Sequence, residues 1–200
     1  MTLFSGAVDY SDLSDEHIGL ALWAGNGDGT VSYPVAYHLL PDALFIGYYE
    51  FDEDYKRMST ADFDQDGDLD IVITSASNFL QVLLNDGAGN FSENGRVGVG
   101  QAPSNICTGD FDQDGNLDIA SINQDSKELV ISFGNGDGTF VEKDVAIAID
   151  LDSDVDVFDM VVFDFNADGV PDIAFAEDGT NPSDTGRGSV QAFLSPGLSE

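Results

Sequence analysis

Basic side chains are scarce in this chain. Its 200 residues contain 6 Lys plus Arg against 38 Asp plus Glu, which gives a formal net charge of −32. Nucleic acids and anionic membrane surfaces are bound through clustered basic side chains, so this deficit argues against both as partners. The acidity instead predicts a strongly solvated surface, suited to solubility or to a salty habitat.

Cysteine is nearly absent as well. The single residue, Cys107, cannot form an intramolecular disulfide. We expect a small buried hydrophobic side chain there, because free cysteines are among the most buried residues. Neither His17 nor His38 belongs to a motif that would activate a Cys107 thiolate, so catalysis at this position is not expected.

Long apolar runs and helical periodicity are also missing. The longest uncharged stretch is the 15 residues 71–85, which is too short to span a bilayer. Residues 1–8 are apolar but lack a basic region, so no signal peptide is expected in the sequence as it stands. If the chain is an extracellular or cell-surface module, we expect it to be a mature product or a piece of a longer chain; a cytoplasmic chain is the alternative.

Three nine-residue segments, the first, second and third acidic loops, share one pattern. They read DFDQDGDLD (62–70), DFDQDGNLD (110–118) and DFNADGVPD (164–172), so successive copies start 48 and then 54 residues apart. Each has carboxylate or amide oxygens at positions 1, 3, 5 and 9 and glycine at position 6. Alternating oxygen ligands around a sharp turn suit Ca²⁺, which takes six to eight oxygens. Asx turns without an ion are the alternative, which three copies in one register make less favourable.

An EF-hand would show a similar loop but needs an acidic residue at position 12 and flanking helices. Position 12 is Ile73, Ser121 or Phe175 in the three copies. The residues after position 9 are short, apolar and partly β-branched, which is typical of strands. The sequence therefore predicts calcium loops between β-strands.

A second recurring element is a glycine-rich turn at 25–31, 85–91 and 134–140. Asn-Gly and Asp-Gly between apolar runs predict β-hairpins, because the turn needs positive φ. A phosphate-binding loop is not expected, since no Gly-Lys-Ser/Thr and no helix follow. Each unit is then strand, acidic loop, strand, variable loop, strand, hairpin, strand, which is the layout of a β-propeller blade.

We predict an all-β fold of β-propeller blades with four antiparallel strands each, about four blades, incomplete at both ends. The blades form a single repeat domain over residues 1–200, with fourteen strands distributed as three, four, four and three. Approximate units are 1–40 (partial), 56–98, 104–150 and 158–200 (partial), with an insertion at 41–55. Phe63, Phe111 and Phe165, at position 2 of their loops, are expected to point into the core between blades.

These features together resemble the FG-GAP (VCBS-type) repeat family, whose blades form the propellers of integrin α-subunits and many secreted bacterial proteins. The matching residues are the acidic loops, Phe133-Gly134 before its hairpin, and Gln101-Ala102-Pro103. The resemblance covers nearly the whole chain, although family rings have about six to eight blades and the first unit here lacks an acidic loop. It implies about three Ca²⁺ ions and a non-catalytic binding or adhesion scaffold.

The resemblance also implies a ligand set for each ion. In the family, oxygens at positions 1, 3, 5 and 9 and the carbonyl at position 7 hold the metal. Carried over to this chain, the expected ligands are Asp62, Asp64, Asp66, Asp68 and Asp70; Asp110, Asp112, Asp114, Asn116 and Asp118; and Asp164, Asn166, Asp168, Val170 and Asp172.

A further acidic run, 150–156, alternates Asp with other residues. It could be a fourth metal loop, but position 6 is Val155 where glycine is needed and position 9 is Phe158. Alternation with a period of two favours a strand with an acidic, solvated face.

Two other functions compete with the scaffold. A calcium-dependent lectin-like propeller would need aromatic platforms, and Tyr10, Trp23, Tyr33, Tyr37, Tyr48 and Tyr49 cluster in the first quarter, although strand core is their more common role. An accessory propeller of a secreted hydrolase or lyase is less favoured, because G-x-S-x-G and H-E-x-x-H are absent. Expected partners are a protein or glycan on the variable loops (9–16, 75–78, 123–128 and 177–187), and neighbouring blades or a second copy at the open flanks.

Overall fold

The computed structural model describes residues 19–28, 30–32, 35–38, 58–74, 78–141, 145–149, 157–177 and 189–194. These residues form thirteen β-strands and no helix, and no helix that could cross a bilayer is found among them. The chain divides into two compact units, Met1–Ile46 and Gly47–Glu200. The single repeat domain and its unit boundaries stay a prediction.

The described residues of the shorter unit form one hairpin. Strands β1 (Gly19–Leu22) and β2 (Val35–His38) pair antiparallel, with Gly25 opposite Val31 in an isolated bridge. The carboxylate of Asp28 accepts hydrogen bonds from the backbone N–H and the hydroxyl of Thr30, which closes the predicted turn. The insertion at 41–55 and most of the aromatic cluster lie outside the described residues.

In the longer unit, the residues that the structure describes form three antiparallel sheets, each with its strands in chain order. Sheet I consists of β3 (Met58–Ala61), β4 (Asp70–Thr74), β5 (Phe79–Asn85) and β6 (Phe91–Gly98). Sheet II consists of β7 (Pro103–Gly109), β8 (Asp118–Asn123), β9 (Glu128–Ser132) and β10 (Val145–Ala148). Sheet III consists of β11 (Val157–Phe163), β12 (Asp172–Glu177) and β13 (Ser189–Phe193).

The predicted all-β fold of antiparallel sheets is therefore confirmed. In each of sheets I, II and III an acidic loop joins the first strand to the second, as the repeat predicted. The glycine-rich hairpins are confirmed too, since Asn85 pairs with Phe91 and Gly134 with Phe140. The described sheets do not close into a ring, so the propeller itself remains a proposal.

The core lies between successive sheets. Along β8, Ile119 packs against sheet I, whereas Ala120 and Ile122 join the cluster that includes Ile173 and Phe175 of sheet III. This alternation follows from the strand geometry, which points successive side chains to opposite faces. We name the face that packs onto the next sheet the front face and the opposite one the back face.

The position 2 phenylalanines show where this packing stops. Phe63 and Phe111 are buried, as predicted, but Phe165 is 49% exposed, so the prediction was wrong for that residue. No described sheet packs on the front face of sheet III. Phe165 instead contacts the 65% exposed Phe163, with ring centroids 5.6 Å apart.

Candidate metal centre

The acidic loops are folded by their own carboxylates. Position 1 accepts a hydrogen bond from the N–H of the position 6 glycine, at 3.0 Å for Asp62 and Gly67 and at 3.1 Å for Asp110 and Gly115. Gly67 has φ of +95°, a conformation that side-chain-bearing residues rarely adopt. The glycine is therefore required for the turn that presents the position 1 carboxylate.

Positions 3 and 5 form Asx turns, in which a side-chain oxygen accepts from the N–H two residues ahead. In the second loop Asp112 accepts from Asp114 N at 3.1 Å and Asp114 accepts from Asn116 N at 2.7 Å. The first and third loops repeat both contacts. The local backbone thus holds the side chains at alternate positions on one concave turn.

The position 9 aspartate of the first and second loops is fully buried, and its carboxylate connects the loop to the hairpin of the same sheet. One oxygen of Asp118 accepts from Phe111 N at 2.7 Å and the other from Gly134 N at 2.9 Å. Asp70 makes the same two contacts, with Phe63 N and Asn85 N, both at 2.9 Å. The sequence predicted position 9 as a ligand but gave no sign of this second role.

Two triads of carboxylates result. In the first loop, ligand atoms of Asp62, Asp64 and Asp70 lie within 4.8 Å of one another. In the second loop, those of Asp110, Asp112 and Asp118 do the same. Like charges this close repel strongly unless a cation lies among them.

One buried oxygen in each triad supports a fit to such a cation. Oδ1 of Asp62 and Oδ1 of Asp110 are buried and have no hydrogen-bond partner. A buried carboxylate oxygen left without a partner is costly, and a hard cation is the partner that the surrounding oxygens would suit. The residues present in these two loops therefore fit a divalent metal ion.

The position 9 carboxyls have unusual acidity. Burial raises the pKa of Asp118 to about 6, against the opposing effect of its hydrogen bonds from Gly134 and Phe111, and the nearby Asp112 and Asp110 raise it further. Burial raises the pKa of Asp70 as well. The charged form of these groups is favoured less in the folded protein than in the unfolded chain.

This shift predicts an unusual pH dependence for the metal-free protein. Because the folded pKa of Asp118 lies above its unfolded value of 3.8, the part of its stabilisation that is linked to proton binding is complete below about pH 4 and is lost as pH rises through about 6. In EDTA, thermal melts should therefore shift to lower temperature between pH 4 and pH 7. In millimolar calcium, which requires the ionised form, the decline should be abolished or reversed.

Hydrogen bonds lower the pKa of the exposed Asp28, Asp86 and Asp137, so their contribution to stability is lost as pH falls, but only below about pH 4. They do not interfere with the measured range. Melting temperatures in EDTA that stay level or rise from pH 4 to pH 7 would contradict the prediction.

The third acidic loop differs from the other two. Asn166 replaces an aspartate at position 3, and Oδ1 of Asp164 accepts a hydrogen bond from Asp168 N at 3.1 Å. The position 1 oxygen that lacks a hydrogen-bond partner in the first and second loops thus has one in the third loop. Val170 at position 7 has a buried hydrocarbon side chain with no ligand atom, so only its backbone carbonyl could serve as a ligand.

We therefore expect the third loop to bind calcium most weakly, since ligand charge tunes the affinity of such loops. Asn166→Asp should tighten it, because one more negative charge lies at contact distance. Pro171 acts in the opposite sense by fixing its own φ before Asp172, but this entropic gain is small. A calcium titration followed at the Gly169 amide measures the loop directly, and filling of the third loop before the others would refute the ranking.

The remaining predicted ligands are placed as follows. The structure brings positions 1, 3 and 9 together in the first two loops, whereas the position 5 side chains of Asp66 and Asp114 lie outside the triads. Asp68 and Asn116 at position 7 are partly buried. The acidic run 150–156 lies outside the described residues. The side-chain contacts of position 4 could not be predicted from the sequence, because they join residues about fifty positions apart.

Comparison with known proteins adds one firm result. The family described as "FG-GAP-like repeat" matches residues 62–121 and 110–175, which together cover more than half of the chain. No curated protein matches the sequence. Among solved structures, the chain is similar to part of the Tc holotoxin pore of Photorhabdus luminescens, with 16% identity and a TM-score of 0.49 over 90% of this chain and 8% of that one. The chain thus spans a small fraction of that protein's length. On the strength of its repeated acidic loops and their match, the chain belongs to the FG-GAP-like repeat family.

Proposed function

We propose that the chain is a calcium-binding, non-catalytic scaffold built from β-propeller-type blades. The observation that carries this proposal is the pair of acidic triads, each with one buried oxygen that lacks a partner, at Asp62 and Asp110. FG-GAP-like repeats are binding and scaffold modules, which supports the same conclusion. The coordinating oxygens would come from positions 1, 3, 5 and 9 of each loop and from the position 7 carbonyl.

The bound ion would supply positive charge and nothing else. The protein's own groups do the structural work, since Asp70 and Asp118 join each loop to a hairpin through backbone N–H groups. Neutralising the carboxylates would remove their repulsion and hold the loop at the edge of its sheet. The metal is thus proposed as a structural element of each unit.

Equilibrium dialysis against calcium tests the proposal. We expect about three ions per chain, with Asp64→Ala and Asp112→Ala each removing one, because each deletes a triad carboxylate. Magnesium should compete poorly, since it demands tighter octahedral geometry. Absence of bound calcium at millimolar concentration would refute the proposal, and equal binding of magnesium would refute its selectivity.

A non-catalytic role is favoured by how the chain's reactive groups are used. Cys107 is buried, as predicted, and burial raises the pKa of its thiol to about 12, so it is a poor nucleophile. The acidic side chains of the loops are engaged in turns and triads. We also propose an extracellular location, because calcium there is plentiful enough to fill loops with Kd of about 10⁻⁴–10⁻³ M.

We place the partner on the variable loops between second and third strands. Of these, only 123–128 lies wholly within the described residues. Its Asn123 is fully buried, and the side-chain amide donates to the backbone carbonyls of Ser121 and Glu128, so hydrogen bonds hold the turn in one conformation. We favour a protein partner, and a glycan array screened with and without calcium would test the lectin alternative.

The exposed front face of sheet III predicts self-association. Val161, Phe163, Val190 and Leu194 are each more than half exposed, which is unusual for apolar side chains on one sheet. The corresponding faces of sheets I and II are covered by a neighbouring sheet, so we expect a second copy to cover this one. Multi-angle light scattering should show dimers that increase with salt, because salt screens the net charge of −32. A stable monomer at high salt and protein concentration would contradict this.

A further inference from the structure

The residue at position 4 of each acidic loop has a backbone conformation that does not suit it. Gln65, Gln113 and Ala167 all have φ of 61°. Glycine or asparagine is normally used in this left-handed region, because other side chains crowd the backbone there. Glutamine at two of the three positions therefore suggests that the side chain itself has a task.

The contacts of Gln65 show what that task is. Its Nε2 donates to Oδ1 of Asn116, 51 residues away, at 2.7 Å, and lies 3.5 Å from the carbonyl oxygen of Gly115. Both acceptors belong to the second acidic loop, at positions 7 and 6. The amide group of Asn116 in turn donates to Oδ2 of Asp114 at 2.7 Å. A continuous chain of hydrogen bonds thus runs from the first loop to a predicted ligand of the second.

The hairpin of sheet II holds this pair in place. A Cβ at Gly136 would overlap Oδ1 of Asn116 and lie 3.0 Å from Nε2 of Gln65. The two side chains are therefore packed against backbone on a third side. Their positions are defined by sheet II as well as by the first loop.

Gln113 repeats the contact one unit further along. Its Nε2 donates to the carbonyl oxygen of Gly169, at position 6 of the third loop, at 2.9 Å. The N–H of the same glycine donates to Asp164 at position 1. Gln113 thus contacts the glycine whose own N–H holds the position 1 ligand of the third loop. Ala167 has no such group, and no acidic loop follows it among the described residues.

We propose that Gln65 and Gln113 couple neighbouring metal loops, so that an ion in one acidic loop favours binding in the next. The proposal rests on the calcium binding proposed above. Each glutamine lies between the position 3 and position 5 ligands of its own loop, so an ion there fixes the direction of its side chain. The side chain then orders the ligands of the next loop. By linkage, the coupling acts equally in both directions.

The position 6 glycines provide a separate signal for each loop. The amides of Gly67, Gly115 and Gly169 each donate to the position 1 carboxylate of their own loop. Calcium titrations followed by NMR at these three amides therefore give three midpoints. Gln65→Ala should leave the backbone of the loop unchanged, because alanine already has the same φ at position 167.

We expect Gln65→Ala to raise the calcium concentrations at the midpoints of Gly67 and Gly115 about three-fold, because the loss of one partly exposed hydrogen bond has an effect of this size. The midpoint of Gly169 should change less. Gln113→Ala should act on Gly115 and Gly169 instead. Ala167→Gln is the matched control and should leave all three midpoints unchanged. The melting temperatures in EDTA should be nearly the same for all variants. If the glutamines had a purely structural role, Gln65→Ala and Gln113→Ala would lower the melting temperature in EDTA as well.

A double-variant comparison separates coupling from a local effect. In an Asp64→Ala background the first loop is disabled, so Gln65→Ala should shift the Gly115 midpoint less than it does in the wild-type protein. Equal shifts in both backgrounds, or no shift at all, would overturn the coupling while leaving calcium binding intact. Absence of calcium-dependent change at all three amides would overturn both proposals.

Discussion

In millimolar calcium the protein should unfold at a much higher temperature than in EDTA. An ion that binds only the folded loops stabilises by mass action, at about 2.7 kcal/mol per site when calcium is in hundredfold excess over Kd. Extracellular calcium modules have Kd of about 10⁻⁴–10⁻³ M, so ~10 mM calcium reaches this excess for the tighter end of the range. The two complete triads alone should then add about 5 kcal/mol, or roughly 10–20 °C for a chain of this size.

Differential scanning calorimetry in EDTA, calcium and magnesium measures this shift. The Asp64→Ala, Asp112→Ala double variant is the control, since it lacks one carboxylate in each triad and should retain little of the calcium effect. Coincident melts of the unaltered protein in EDTA and calcium would show that the triads hold no stabilising ion.

Replacing Asp118 by alanine should destabilise the protein even without calcium. Its two oxygens accept the N–H groups of Phe111 and Gly134, and the side chain is fully buried. Asp118→Ala would leave both N–H groups without their partner and open a small cavity. A buried group that loses its partner costs about 1–3 kcal/mol, so we expect a loss of roughly 2–5 kcal/mol from the free energy of unfolding.

The matched variant is Asp112→Ala in the same triad. Asp112 is exposed, and its hydrogen bond to Asp114 N stays within the loop. We expect this change to remove calcium binding at the second loop while leaving the urea midpoint in EDTA nearly unchanged. If the two variants lose equal stability in EDTA, position 9 has no structural role beyond that of its neighbours.

Local features of the sequence predicted most of what local forces determine. The acidic loops depend on Asx turns and a position 6 glycine such as Gly67, which act within nine residues. The hairpins depend on Asn-Gly and Asp-Gly, whose preference for positive φ is equally local. The order of strands followed from these two elements, since each acidic loop and hairpin joins neighbouring strands.

Contacts between distant parts of the chain were not predictable in the same way. Phe165 occupies the same loop position as Phe63, yet its exposure depends on whether a further sheet packs on it. Asp118 and Asp112 have the same side chain, but only the first enters the core, because β8 begins there. The partner of Gln65 lies 51 residues away and is set by how sheet II stacks on sheet I. The one signal in the sequence was glutamine at position 4 of both the first and the second acidic loop.

The packing of front face onto back face gives the stack a direction. Sheet I meets sheet II as sheet II meets sheet III, and each junction contains the position 2 phenylalanine and the position 4 glutamine of the preceding acidic loop. A gene duplication that copies one unit of about fifty residues would therefore bring matching surfaces at both of its ends. Such arrays can lengthen or shorten by whole units during evolution, whereas a partial duplication would break the alternation and be lost.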